Sequence, residues 1–474
     1  MKNIIKNNWL FLLSLPVILV IGFALSYYTE ISSIAIIGFC ILSLLLIYIT
    51  KNPFVGAILL VLTLPFERIP TLNMGFTTIK INQFIAGFMI VSWILQETFS
   101  NKKAKPSPYP IGWIVWLFLF SSFISTYLAT DTKRAIQVFI FTTFVSLTSF
   151  VFTRVVNSKI KLKIIIKYLL FATFFVCIFA FYQLLADMAG LPHTLTGLKD
   201  IYTKAVMGFP RVHAFSMEPL YFANFLFLPL GLSLSYIFFK QYIVSGWKLY
   251  LLVLFILICI FLGISRGAYF GLAGMGIFFV IFLAKKVINF KNIIIFFLAT
   301  FVILFFSYIY LLNTNTDAVE KFAEHATLGD FEKGESVQKR LQDYQRAYNF
   351  WQEKPIFGIG PGNFGPRYLD YPAHDDITDW EIVNNQYLEL LTEWGIVGSV
   401  IFLIFLYFIT TRALFAYKLA TDPFLKATLF GTIAAFVAIL IQYNFFSTIY
   451  IMYIWVFIAI LIIVQNLCFY DKKN

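Results

Sequence analysis

Charge is what this chain has least of. Only 13% of its 474 residues are Asp, Glu, Lys or Arg, where soluble domains carry about 25%. Too little polar surface remains to cover a globule, which excludes an ordinary soluble enzyme. Cysteine is scarce as well: Cys40, Cys177, Cys259 and Cys468 lie far apart in apolar runs and share no CxxC spacing. That excludes a zinc site or a disulfide framework and leaves buried thiols. Histidine is limited to His193, His213, His325 and His374.

What is abundant is apolar. Hydrophobic residues make up 60% of the chain and mean hydropathy is +0.82. Runs of about 20 apolar residues suit membrane-crossing helices. They fall near 9–28, 31–50, 52–65, 81–96, 111–129, 135–153, 164–186, 219–239, 248–264, 267–284, 293–312, 386–410, 427–446 and 448–467. The first, Trp9 to Tyr28, lacks a small-residue cleavage pattern and is expected to stay as a membrane helix. The expected fold is therefore all-α, a polytopic membrane protein of about 14 transmembrane helices.

The net charge of +12 is distributed as an insertion signal. Segments such as Lys102–Lys105, Lys159–Lys167 and Lys285–Lys291 alternate with outer loops that carry few bases. The positive-inside rule then puts both termini in the cytoplasm, and no nucleic-acid partner is needed.

Two outer connections are long. One runs from Asp187 to Pro219; the other, between spans 11 and 12, runs from Asn313 to about Val383. Long loops in compact proteins are usually functional or disordered. In the second, Val337, Leu341, Tyr344, Tyr348 and Trp351 recur at helical spacing before Pro355, which predicts a helix with these residues as its apolar face. The expected division is a bundle over 1–312, an extracytoplasmic, partly helical loop over 313–383, and a second bundle over 384–474.

That loop contains GIGPGNFGP at 358–366. It lacks the Lys-Ser/Thr ending of a nucleotide loop, and Pro361 has no backbone donor. Two readings stand: a tight turn with glycines at positive φ, or a loop whose Gly358, Gly360, Gly362 and Asn363 bring backbone to a sugar or phosphate.

Charged groups also occur where charge is expensive. Arg266 lies within GISRGAYFGL, and an intramembrane arginine costs about 2.5–3.5 kcal/mol unless it faces a cavity, a partner or the interface. Arg211 precedes Glu218 in RVHAFSMEP, and the plain alternative is a simple ion pair. Asn385, Glu389 and Glu393 recur every fourth residue at the start of a span, one polar stripe on a helix. The plain alternative there is a first turn still in water, with Glu suiting the helix dipole. Arg211, Arg266 and Arg340 converging at the outer surface would offer planar donor forks to a diphosphate.

These motifs together resemble the O-antigen ligase/polymerase superfamily. The resemblance rests on Ser336-x-x-x-Arg340, then KPIFGIGPGNF, then NNQYLELLTEWGIVG, with RVHAFSMEP and SRGAYFGL upstream, over roughly residues 200–400. It implies a bacterial inner-membrane glycosyltransferase that uses undecaprenyl-diphosphate-linked glycan at the outer face. Arg211, Arg266 and Arg340 would bind the diphosphate, and Asn384 and Asn385 would help position substrate. Ligases of the family usually have His-Asn where this chain has Asn384-Asn385, and an amide cannot take a proton as imidazole does. The departure favours a polymerase of polysaccharide repeats over a ligase acting on lipid A core. The general base stays open among Glu218, His374, Glu381 and Glu389. Neither cofactor nor metal is expected, although Asp375, Asp376 and Asp379 leave an opening for one. A flippase and a chain-length regulator of the same pathway are the expected partners. A lipid-glycan flippase or transporter is the rival from another class; against it, residues 1–237 and 238–474 show no clear repeat.

Overall fold

A computed structural model describes residues 52–68, 71–73, 78–99, 107–287, 335–368 and 381–471. Almost everything there is helix. In chain order, α1 is Pro53–Thr63, α2 Ile81–Phe99, α3 Gly112–Tyr127, α4 Thr132–Val155 and α5 Lys159–Met188. Short α6 (His193–Thr196) and α7 (Lys204–Met207) lead to α8 (Pro219–Phe238), α9 (Gly246–Leu262) and α10 (Arg266–Val287). Then come α11 (Glu335–Glu353), α12 (Phe364–Tyr368), α13 (Gln386–Leu419), α14 (Pro423–Gln442) and α15 (Met452–Asp471).

Every expected span within the described residues falls on a helix, and six of these helices are long and apolar enough to cross a membrane. This is an all-α membrane protein with one small exception. An antiparallel hairpin, β1 (Thr71–Asn73) with β2 (Thr78–Lys80), pairs Leu72 with Ile79. The expected spans 9–28, 31–50 and 293–312, and residues 313–334 of the expected loop, lie outside the described residues.

Helices α8, α14 and α15 form the centre. Buried apolar residues surround α8 on every side, from Leu220 and Phe222 to Leu232 and Tyr236, as expected of a fully enclosed helix. Its crossing with α14 is glycine on glycine: a Cβ on Gly231 would sit 2.5 Å from the Gly431 carbonyl oxygen. Apolar lipid gives helices little hydrophobic reason to associate, so close backbone approach and polar contacts must hold them. Both are present. Asn224 donates to Gln442 at 2.7 Å, Gln442 donates to the Leu220 carbonyl at 3.2 Å, and the hydroxyls of Tyr236 and Thr428 meet at 2.8 Å.

The predicted helix before Pro355 is present as α11, but its packed face differs. Asp343, Ala347 and Phe350 are buried, whereas Leu341 and Tyr348 are 57% and 46% exposed. Phe350 and Ala347 join Ile359, Phe364 and Val383 in a small separate core against α13. Counting apolar residues alone missed the face because an acid, Asp343, is on it.

Candidate active site

Two charged clusters are built around the ends of α8, α10, α11 and α13. The first gathers the arginines. Gln183 of α5 fixes the loop that carries Arg211, accepting from Ala214 N at 2.8 Å and donating to its carbonyl at 3.2 Å. The hairpin end adds a second tie, with Arg68 N donating to Phe215 O at 2.9 Å. Arg211 then reaches the break between α9 and α10, donating from Nε to Gly263 O at 3.2 Å and from Nη2 to Ile264 O at 2.8 Å. Ile264 has φ +43°, a conformation that a β-branched residue rarely adopts. Strain of this kind persists where surrounding structure enforces it, and it clusters at functional sites. Arg266 opens α10 two residues later.

The electrostatics tie the three arginines together. Burial pushes the Arg211 guanidinium below its ordinary value, while Tyr202, Tyr269 and Glu218 act in the opposite sense. Burial also lowers Arg340; Tyr344, Asp343 and Glu218 oppose that, and Arg266 adds to it. Glu218 thus acts on both Arg211 and Arg340, and Arg266 acts on Arg340. Arg211 and Arg340, from distant parts of the chain, both lie within electrostatic reach of an exposed carboxylate at the head of α8, and Arg266 lies within reach of Arg340. The simple Arg211–Glu218 pair of the plain reading is not among the ion pairs within 4 Å formed by the described residues.

Asp343 lies one turn from Arg340 with no hydrogen bond to either oxygen among the described residues. Burial raises its carboxyl to about 6, with Glu381 pushing the same way and Lys339, Arg346 and Arg340 opposing. Glu381 itself pairs with Lys339 at 3.2 Å. His213, in the arginine loop, is buried and accepts from Lys199 N at 3.2 Å. Burial, with Arg68 and Lys199 nearby, lowers it to about 3, so it is neutral at ordinary pH.

The second cluster is a clasp. Helix α13 breaks at Gly395, φ +65°, and the turn-rich segment after α11 inserts its backbone there. Ile359 N and Gly360 N donate to the carbonyls of Thr392 and Glu393, at 3.0 and 3.1 Å. Ile396 N and Val397 N donate back to Pro355 and Ile356, at 2.9 and 3.2 Å. The Glu393 carboxylate accepts from Gly362 N at 2.7 Å, Phe364 N at 3.2 Å and the Tyr450 hydroxyl at 2.8 Å. Gly358 N and Asn363 N are also bonded, to Lys354 O and Gly360 O.

Every backbone donor from Gly358 to Phe364 is therefore used within the protein. Of the two readings of this stretch, these bonds favour the tight turn: the backbone that the glycines bring close is that of α13. Gly358, at φ +73°, would place a Cβ 2.4 Å from the Glu393 carbonyl carbon. Asn363 is likewise structural, accepting from Asp131 N at 2.6 Å and donating to Asp131 O at 3.2 Å.

The polar stripe of α13 enters the protein; its first turns are not in water. Asn385 is the N-cap, accepting from Tyr387 N at 3.0 Å and Leu388 N at 3.1 Å. Asn384 takes φ +56°, which asparagine tolerates better than most residues. Glu389 and Glu393 are 1% and 2% exposed. Neither oxygen of Glu389 has a hydrogen bond of ordinary geometry among the described residues, although Ser447 and the Val383 backbone lie close. Arg134, buried on α4, stands within electrostatic reach of Glu389, Glu393 and Tyr450. Neither Arg134 nor Tyr450 has a signal in the sequence, since spacing links neither to α13. Asp343 had a local signal, three residues after Arg340. His374, and Asp375, Asp376 and Asp379, lie outside the described residues.

Comparison with known proteins finds a family similarity over part of the chain. No curated protein matches the chain. Residues 251–403 match the sequence model of the family described as O-antigen ligase. That segment includes Arg266, Arg340, the glycine clasp, Glu389 and Glu393; Arg211, Glu218, Arg134 and Tyr450 fall outside it. Over residues 251–403 the chain is therefore similar to the O-antigen ligase family, in keeping with the resemblance that the motifs carry.

Proposed function

We propose that the chain is an inner-membrane glycosyltransferase acting, at the outer face, on glycan linked to undecaprenyl diphosphate, and that it polymerises oligosaccharide repeats. The observation that carries this is that Arg211 and Arg340 both lie within electrostatic reach of Glu218, with Arg266 within reach of Arg340. Glycosyl transfer from a lipid diphosphate loads negative charge on the leaving group as the anomeric carbon–oxygen bond breaks. Fixed guanidinium groups stabilise that charge, and removing one such donor typically slows reaction about 100- to 1000-fold. An acceptor sugar hydroxyl attacks the anomeric carbon, loses its proton to a base, and undecaprenyl diphosphate departs.

Among the candidate bases, Glu218 is exposed within the arginine neighbourhood, Glu381 is held by Lys339, and Glu389 is closed from solvent. Glu218 is the base this reading assigns. Gly358, Gly360, Gly362 and Asn363 position α13; they do not touch substrate. Asn384, where ligases usually have His, favours a polymerase over a ligase. The reaction runs without a nucleotide or a divalent ion, the arginines taking the role a metal would have.

Reconstitution with a lipid-linked repeat tests the reading. The wild type lengthens the glycan, and Arg211→Ala, Arg266→Ala and Arg340→Ala each lose about 100-fold or more while inserting normally. Full activity in these variants removes the diphosphate clamp. Activity that falls with EDTA and returns with Mg²⁺ contradicts the metal-free mechanism. Transfer to lipid A core but not to a second repeat converts the assignment to ligase, and translocation without bond formation to flippase.

A further inference from the structure

The lysine-rich end of the bundle, away from the arginines, contains a cleft of about 290 Å³ lined by Lys163, Ile164, Lys167, Gln241, Tyr242, Ile243 and Phe424. No acid lines it. Lys163 and Lys167 are one helical turn apart on α5, and such like-charge neighbours repel. Neither has an ion pair among the described residues; the nearby Asp422 is taken by Lys159 and by the amide of Leu425. Lys163 rests on the Phe424 ring, 4.9 Å from its centre.

The cleft's far wall is fixed by a backbone device. Lys240 occupies the left-handed position after α8, φ +53°, with Lys240 N bonded to Ile237 O and Gln241 N to Tyr236 O. This is the double closure that usually employs glycine, and it turns the chain so that Gln241 and Tyr242 face α5. Tyr242 in the cleft wall is 51% exposed, and Trp247 and Tyr250, in the first turns of α9 a few residues on, are 65% and 57% exposed. Exposed aromatics of this type mark headgroup depth in a bilayer.

We propose that this cleft binds the headgroup of an anionic phospholipid. Two unpaired lysines supply the charge, and Gln241 and the Tyr242 hydroxyl supply polar contacts. The exposed aromatics place the cavity at the depth of a lipid phosphate, and basic pockets between membrane helices recognise such headgroups. The volume falls just below the range of about 300–1,000 Å³ typical of drug-sized ligands, so it holds a headgroup and leaves the acyl chains along the exposed faces of α5 and α9. The site is independent of the glycan chemistry at the other end of the bundle.

Wild-type protein purified from membranes containing phosphatidylglycerol and phosphatidylethanolamine should retain phosphatidylglycerol above its bulk share, as read by native mass spectrometry. Retained lipid that mirrors the bulk overturns the proposal without any variant. Short-chain phosphatidylglycerol should also raise the melting midpoint in detergent, with phosphatidylcholine inert. In Lys163→Gln/Lys167→Gln its apparent affinity should fall by about thirtyfold, while Lys133→Gln, at the opposite end of α4, keeps it. An unchanged affinity in the double variant moves the lipid elsewhere. An equal rise from inorganic phosphate at the same concentration makes the ligand a soluble anion and overturns the lipid assignment.

Discussion

Glu389 and Glu393 stand one turn apart on the same face of α13, equally buried, and their surroundings are opposite. Glu393 accepts from two amides and a tyrosine hydroxyl; Glu389 accepts from nothing of ordinary geometry among the described residues. A buried polar group with its bonds made stiffens a structure, and one without them is costly. The same contrast separates the two clusters as wholes. The clasp is closed chemistry, with all its donors used. The arginine neighbourhood is where the proposed function puts the anionic substrate. On that reading the first is architecture and the second is the reactive end.

The largest effect should come from the clasp's backbone. Gly358→Val adds a branched side chain at φ +73°, where even a Cβ meets the Glu393 carbonyl carbon at 2.4 Å. Because the obstacle is backbone of a broken helix, it cannot swing away. Folded protein recovered from membranes should fall to near nothing, judged by monodisperse elution in detergent. A well-folded variant would show the clasp to be loose.

The two glutamates supply the next test. Glu393→Ala leaves Gly362 N, Phe364 N and the Tyr450 hydroxyl without their acceptor, at about 1–3 kcal/mol for each orphaned donor. Its melting midpoint should drop sharply. Glu389→Gln swaps a buried carboxyl for an amide of the same shape and strands no donor that bonds it in ordinary geometry, so its midpoint should hold or rise. If Glu389→Gln melts as poorly as Glu393→Ala, the contrast is wrong. If it folds well and loses glycan elongation, Glu389 replaces Glu218 as the base.

How much of this was legible in the chain depends on the range of the interaction. The helices are local, written in apolar runs, and α11 is announced by its spacing and Pro355. Arg266 stands out in the sequence because charge within an apolar run is conspicuous; Arg211 and Arg340 are marked only by the motifs that carry the family resemblance. The clasp was not. GIGPGNFGP has the composition of an anion loop, and only the distant partners Thr392, Glu393 and Gly395 show that its amides are already bonded. Arg134 and Tyr450 meet α13 from more than 50 residues away in sequence, and no periodicity encodes such a meeting. The packed face of α11 was missed for a related reason: Asp343 is buried beside charges brought there by folding.

Asp343 offers a pH test of the arginine side. Its carboxyl is raised by burial from 3.8 to about 6. Between those values the folded protein holds a proton that the unfolded chain has lost, so stability falls as pH rises through the window. Above pH 6 the penalty is complete, at about 1–3 kcal/mol. Asp343→Asn should therefore melt higher than wild type at pH 7.5 and show no advantage near pH 4. An unchanged difference across that range would mean Asp343 is paired, and the arginine neighbourhood correspondingly less positive.

The smallest effect belongs to Asn385, and it separates cap from site. Its Oδ1 accepts from Tyr387 N and Leu388 N, while its Nδ2 donates to Asn444 O at the long distance of 3.5 Å. Asn385→Ala removes the cap and should cost about 1 kcal/mol. Asn385→Asp keeps the accepting oxygen and adds a negative charge at a helix N-terminus, which is favourable. If Asn385 only caps α13, the Asp variant melts like wild type and elongates glycan normally. Should it melt normally and lose activity, the amide nitrogen is what matters. It would then face the substrate, and the reactive neighbourhood would extend from the arginines onto the head of α13.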